Sequence, residues 1–354
     1  MKKNKKDYIF YLDFLRVISI LAVILLHVAA QNFREVPLGS LAWNTFNISD
    51  SLVRWCVPVL IMISGVFFLD NEKELSLKKL YSKNILRLFI ILIFWSFIYG
   101  LDEYLKGASI KDAIKVFVQS KYHLWFLNMI IGLYLVTPLL RKITKEKKDI
   151  EYFLIISFIF SILMPSLFNF LRFNNNVFIG ELITSFKDNY NNINLSFGYV
   201  FYFVLGYYLH KYKLNSRIKY SSFFLGILGA LVTILLTDLY SRKLGVAKAT
   251  FYGNFNVGVT LMSVAIFLFV KNIFSKKTNE RYFVKMVKLL SSCSLGMYLI
   301  HVYVLDKLNV WGNINTLSFN PIFSIFVVFG LTSFISFIFI LCLKQIPVIK
   351  KYLV

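Results

Sequence analysis

Charge is scarce in this sequence, and acid scarcer still. Asp, Glu, Lys and Arg make up 16% of the 354 residues, with 40 basic side chains against 18 acidic. About a quarter of an ordinary soluble chain is charged, so this composition excludes a single water-soluble domain. Cysteine is nearly absent. Cys56, Cys293 and Cys342 all lie in apolar runs, which offers neither a disulfide framework nor a metal-binding cluster. Only four histidines are present, at 27, 123, 210 and 301, so few imidazoles are available for acid–base work. No small-residue cleavage pattern follows the opening MKKNKK, and the first apolar run is read as a retained helix.

What the chain has in quantity is hydrocarbon. It is 58% hydrophobic and 18% aromatic, with charges gathered in short clusters between apolar runs. Those runs approach the roughly 20 residues a helix needs to cross a bilayer. The fold class expected is all-α: a polytopic integral membrane protein of about ten transmembrane helices, forming one membrane-embedded domain over residues 1–354 without an appended soluble domain. The spans are predicted near 9–30, 51–69, 88–101, 124–140, 152–171, 197–210, 220–237, 255–270, 289–305 and 320–343. The third, sixth and eighth are short and are expected to extend into their flanks.

A net charge of +22 raises the question of nucleic acid, but the distribution of the charge excludes it. Lys and Arg number 27 in alternate segments and 11 in the segments between them, the asymmetry that marks a cytoplasmic face. Both termini are therefore expected in the cytoplasm and the chain in the cell membrane. Two of the long outer segments stand out. Residues 102–123 carry Leu105, Ile110, Ala113, Ile114 and Phe117 at helical spacing, which predicts a helix lying on the membrane. Residues 172–196 are rich in Asn, a surface able to hydrogen-bond a sugar or simply to face water.

The first span is unusual. LDFLRVISILAVILLHV carries Asp13, Arg16 and His27 in a segment meant for hydrocarbon. Arginine at the centre of a spanning helix costs roughly 2.5–3.5 kcal/mol even on a mild scale. Eleven residues bring His27 back to within about 20° of Arg16 around the helix, about 16 Å along its axis. Asp13 is placed to pair with Arg16 and reduce its cost. An orienting ion pair and an interfacial histidine would explain each residue alone. One shared face favours a polar cavity.

At this point the chain resembles the acyltransferase 3 family of membrane O-acyltransferases. The arginine, ten residues, histidine spacing of YLDFLRVISILAVILLH is the hallmark of that family. RWCVPVLIMISGVFFL, HLWFLNMIIGLYLVTPLL, GYVFYFVLGYYL and SLGMYLIH follow in family order, so the resemblance covers essentially the whole chain. It implies transfer of an acyl group, most often acetyl, from cytoplasmic acyl-CoA to a hydroxyl of an extracytoplasmic or lipid-linked envelope glycan. No tightly bound cofactor is implied. The partners implied are acyl-CoA, the glycan, the lipid bilayer and, as a further expectation, a second copy of the chain in a homodimer.

The resemblance makes His27 the catalytic residue, because a sugar hydroxyl attacking a thioester must lose its proton and a neutral imidazole can take it. The acyl group would cross on an inward-threading pantetheine arm or on the histidine itself, and both routes stay open. Arg16, about 16 Å away, belongs to the donor path or is braced through Asp13. Arg54 joins this candidate catalytic set as a contact for the acceptor or the reacting carbonyl, with snorkelling to the interface as the plainer reading. Lys83, Arg87 and Trp125 are the candidates for holding the donor. Family members often carry Arg-x-x-Arg where this chain has Asn84-Ile85-Leu86-Arg87, with Lys83 alongside. Asp13, His123 and His301 are candidate walls of the site. His210 reads as an interface residue, and Ser64-Gly65 as a helix-packing face. A transporter of the same fold is the rival expectation, although the broken paired halves and internal repeat of such proteins are not visible.

Overall fold

A computed structural model describes residues 9–171, 198–274 and 281–353. The Asn-rich segment 172–196 and the opening MKKNKK lie outside the described residues. Everything described is helix and connection, without a strand. In chain order the helices are α1 Phe10–Ala30, α2 Leu41–Val53, α3 Cys56–Phe68, α4 Leu77–Leu105, α5 Ile110–Gln119, α6 Trp125–Ile143 and α7 Lys147–Leu171. They continue as α8 Val200–Lys211, α9 Ser216–Leu244, α10 Val257–Phe274, α11 Arg281–Gly312, α12 Pro321–Leu343 and a short α13 Pro347–Tyr352. Among the described residues, nine helical stretches are long and apolar enough to cross a membrane. The tenth expected span, 197–210, is represented by the 12 residues of α8. At 1.5 Å per residue that is about 18 Å, short of a hydrocarbon core of roughly 30 Å.

Several predicted edges move outward. The second span starts at Leu41 rather than 51, because Asn47, Asp50 and Ser51, which lower its hydropathy, are buried against protein and not exposed to lipid. Ser40 caps it by accepting from the N–H of Trp43. The stretch then breaks at Arg54-Trp55 and resumes as α3. The third span runs from Leu77 to Leu105, through a π-helical turn at Leu80–Ile85. The predicted surface helix in 102–123 is α5, whose apolar residues Ile110, Ala113, Ile114 and Phe117 fold back on Phe97, Gly100, Leu101 and Tyr104 of α4.

α1 is the hub. It packs against α2, α3, α10, α11 and α12, and Leu12, Leu15, Ile24, Val28 and Ala29 have no exposed surface. A helix carrying polar residues in hydrocarbon is tolerable when protein surrounds it, and five neighbours surround this one. α3 crosses α8 at close range. A Cβ built on Gly65 would lie 1.8 Å from the carbonyl oxygen of Phe203, and one on Gly206 would lie 2.2 Å from that of Met62. Gly65 therefore lies on a packing face, where only glycine permits backbone contact, whereas its neighbour Ser64 faces the cavity described below.

Gly206→Ala should accordingly lower thermal stability in detergent by at least about 1 kcal/mol, the low end for forcing atoms into a packed interior. Gly132→Ala, where an added Cβ meets nothing within 4 Å, should not. Equal unfolding midpoints for the two variants would remove the crossing from the account.

Candidate functional site

Three of the four histidines meet at the end of the bundle where α1 finishes. His27 lies in the last turn of α1, and its ring centre is 5.1 Å from that of His301 and 6.5 Å from that of His123. His123 and His301 are 5.3 Å apart, and the ring of Tyr122 sits 5.4 Å from His27. His301 is carried by the middle of α11, which packs along α1. His123 arrives by a turn. Ser120 ends α5 with φ of 63°, a left-handed conformation unusual for serine, and its hydroxyl is paired with Ser96 at 2.8 Å. Tyr122–Leu124 then form one 3-10 turn before α6 begins.

The hydrogen bonds settle two tautomers, because a carbonyl oxygen can only accept. His301 Nδ1 lies 2.6 Å from the Tyr298 carbonyl, so Nδ1–H donates and Nε2 carries a lone pair. His123 Nε2 lies 3.4 Å from the Leu299 carbonyl, so Nε2–H donates and Nδ1 carries the lone pair. Both lone-pair nitrogens are buried and lack a hydrogen-bond partner among the described residues. His301 is wholly buried, whereas His27 keeps partial exposure. No group of His, Cys, Asp or Glu among the described residues has the arrangement of a metal site.

A ring of ion pairs holds these elements together. Lys121 reaches Glu103 of α4 at 3.0 Å and Asp306 of α11 at 3.7 Å. Asp102 receives Lys307 at 2.7 Å and Lys106 at 2.6 Å. Asp102 is 8% exposed and Lys307 15%, burial at which such pairs are geometrically restrictive and costly to break.

Arg16 occupies the opposite end of α1's polar face. Its Nη1 donates to Asp13 at 2.7 Å and to the hydroxyl of Ser291 at 3.0 Å, and that hydroxyl donates to Asp13 at 2.6 Å. Beside it opens a cavity of about 290 Å³. Arg16, Arg87, Ser64, Ser291 and Tyr134 supply polar lining, while Ile20, Leu60, Ile63, Leu127 and Phe126 supply apolar walls. Tyr298 also lines it, and the Tyr298 hydroxyl donates to the carbonyl of His123. The Tyr298 ring lies 5.7 Å from His123 and 6.0 Å from His301. Tyr298 is thus shared between the cavity and the histidines.

Arg54 stands at the α2–α3 break, paired with the buried carboxylate of Asp50, and its guanidinium lies 4.2 Å from the centre of the Tyr252 ring. Tyr252 in turn donates to Asn47 at 2.6 Å.

The predicted site residues thus divide. His27, His123 and His301 come together, Arg54 sits on Asp50 and Tyr252, and Arg16 and Arg87 line the cavity with Asp13 paired to Arg16. Lys83 is exposed on the π-helical turn, and Trp125 is exposed against Tyr199, so neither lines the cavity. His123 and His301, expected as walls of the site, are buried, at 1% and 0% exposure, with their rings 6.5 Å and 5.1 Å from that of His27. His210 pairs with the Tyr11 hydroxyl at 2.5 Å, at a helix end away from the group. Sequence reasoning missed Tyr298, Ser291 and Asp50. The first lies one turn before His301 and the last one turn before Arg54, spacings that were open to inspection.

Known proteins place this arrangement in a family. The acyltransferase 3 family model, described as an acyltransferase domain, matches residues 9–341. Proteins of Staphylococcus aureus strains MSSA476, MW2 and N315 are 22% identical over 337 residues, which covers 92% of this chain and 91% of theirs. Each is named a probable poly-beta-1,6-N-acetyl-D-glucosamine export protein. No solved structure matches. With a family match across nearly its whole length and a helical membrane-type fold, the chain belongs to the acyltransferase 3 family of membrane proteins.

Proposed function

We propose that the protein is a cell-membrane O-acyltransferase that moves an acyl group, most often acetyl in this family, from cytoplasmic acyl-CoA to a hydroxyl of an extracytoplasmic or lipid-linked glycan. One observation carries the reading. A cavity is lined by Arg16, Arg87 and Tyr298, and the Tyr298 ring lies beside His123 and His301, two of the three grouped histidines. With the N-terminus in the cytoplasm, the cavity faces the donor and the histidines face the acceptor.

The cavity is near the lower size for small-ligand sites, about 300 Å³. It suits a slender pantetheine arm, with the nucleotide left at the mouth beside Arg87 and Lys83. His27 takes the proton from the acceptor hydroxyl as its oxygen attacks the thioester carbonyl. The carbon–sulfur bond then breaks, and the proton passes from the imidazolium to the departing thiolate, leaving an ester and free coenzyme A. Transfer by way of His27 itself would first form an acyl–nitrogen bond as the carbon–sulfur bond breaks, the thiol leaving with the imidazole proton. The acceptor oxygen would then displace the imidazole, and its hydroxyl proton would pass by way of His123 or His301 back to His27. Export of a glucosamine polymer is the second reading, supported by the name of the S. aureus relatives at 22% identity.

His27→Ala should reduce glycan ester at least about a hundredfold, the lower value for loss of a general base, at normal membrane abundance. Mass spectrometry of surface glycan from wild-type and variant cells measures this, and the lost mass names the acyl group. Unchanged ester content in the variant would remove His27 from the chemistry, and unchanged ester with lost surface polymer would favour export. Arg87→Ala should raise the KM for acyl-CoA about tenfold with little change in kcat, as expected for a ground-state contact to a phosphate. An unchanged KM would return Arg87 to a topological role.

A further inference from the structure

Pro347 turns the chain after the last long helix. The residue before a proline is steered out of helical conformation, and Ile346 is extended, with φ of −86° and ψ of 112°. α13 then starts on Pro347, at the helix position where a missing N–H costs nothing. The turn lays the chain back on α4. Ile349 and Leu353 pack against the apolar cluster that contains Ile91, Leu92 and Trp95. The last carbonyls of a helix lack partners within it, and here Trp95 Nε1–H donates to that of Leu353 at 3.4 Å.

Lys344 holds the other end of this segment. Its Nζ donates to the carbonyl and to the hydroxyl oxygen of Ser292, each at 2.8 Å, with Cys293 Sγ at 3.7 Å. Those three partners are neutral, so they orient the ammonium without cancelling its charge. Ser292 lines the cavity beside Arg16. Residues 344–353 therefore strap together two helices that wall the cavity, α4 with Arg87 and Leu88 and α11 with Ser292 and Tyr298.

Charge gives the strap a use. The described residues lining the cavity include two guanidiniums, of Arg16 and Arg87, and no carboxylate. Arg16 is offset by Asp13. Lys344 adds a positive charge immediately behind the wall at Ser292. Such a surplus suits a ligand whose anionic groups stay at the cavity while a slender arm enters it.

We propose that Lys344, held on Ser292 by the strap, binds phosphate of the acyl donor at the cavity. The inference rests on the acyl-CoA reading. It adds a residue outside the stretch 9–341 that the family model matches.

The experiment measures binding to the full chain in lipid nanodiscs. Acetyl-CoA is compared with acetyl-pantetheine, which has the same thioester and no phosphate, each followed by ligand-observed NMR. Lys344→Gln removes the charge and keeps an amide able to donate to Ser292. It should weaken acetyl-CoA binding about five- to tenfold, the effect of losing one charge-assisted hydrogen bond, and leave acetyl-pantetheine binding unchanged. Lys344→Arg should restore acetyl-CoA binding, because a guanidinium also holds phosphate. Lys344→Met carries the same expectation as the glutamine variant and serves if that variant does not fold. Unchanged acetyl-CoA affinity, or an equal loss for both ligands, would overturn the role of Lys344 and leave the acyl-CoA reading standing. A wild-type chain that binds neither ligand would defeat that reading and this inference with it.

Discussion

A helix crossing hydrocarbon cannot leave arginine and imidazole facing lipid, and the architecture follows from that constraint. α1 carries Asp13, Arg16 and His27, and protein packs round it from five sides. Each polar residue is then met by something specific. Arg16 has Asp13 and Ser291, and His27 has the rings of His301, His123 and Tyr122. Because α1 is a continuous helix, its two ends hold different chemistry about 16 Å apart. One end opens to the cavity and the other to the histidines.

The separation gives Tyr298 its importance. It sits one turn before His301, lines the cavity and donates to the carbonyl of His123. Tyr298 thereby joins the wall of the cavity to two of the three histidines. The ion pairs of Asp102, Glu103, Lys121, Asp306 and Lys307 fix the ends of α4 and α11 and the turn before α6, so that His123 and His301 hold their places beside His27.

Much of this was legible in the sequence. The apolar runs disclosed the helical membrane class, and the eleven-residue step from Arg16 to His27 disclosed one shared face. Edges were less legible where hydropathy misleads. Asn47, Asp50 and Ser51 look like loop residues, yet they are buried within α2. The convergence of His123 and His301 on His27 was not legible, because it depends on the left-handed turn at Ser120 and on α11 packing along α1. Nor does residue type give position: Lys83 and Trp125 are exposed, and neither lines the cavity. Residue type marked the candidates, and only packing sorted them.

The central claim is that donor and acceptor reach the two ends of α1 from opposite sides of the membrane. Right-side-out vesicles test this most directly, with acyl-CoA enclosed in the lumen and a membrane-impermeant glycan acceptor outside. The account predicts ester on the external acceptor, and none when acyl-CoA is supplied only outside. Equal transfer from external acyl-CoA would contradict it, and would require Arg16 and His27 to serve a site open to one face.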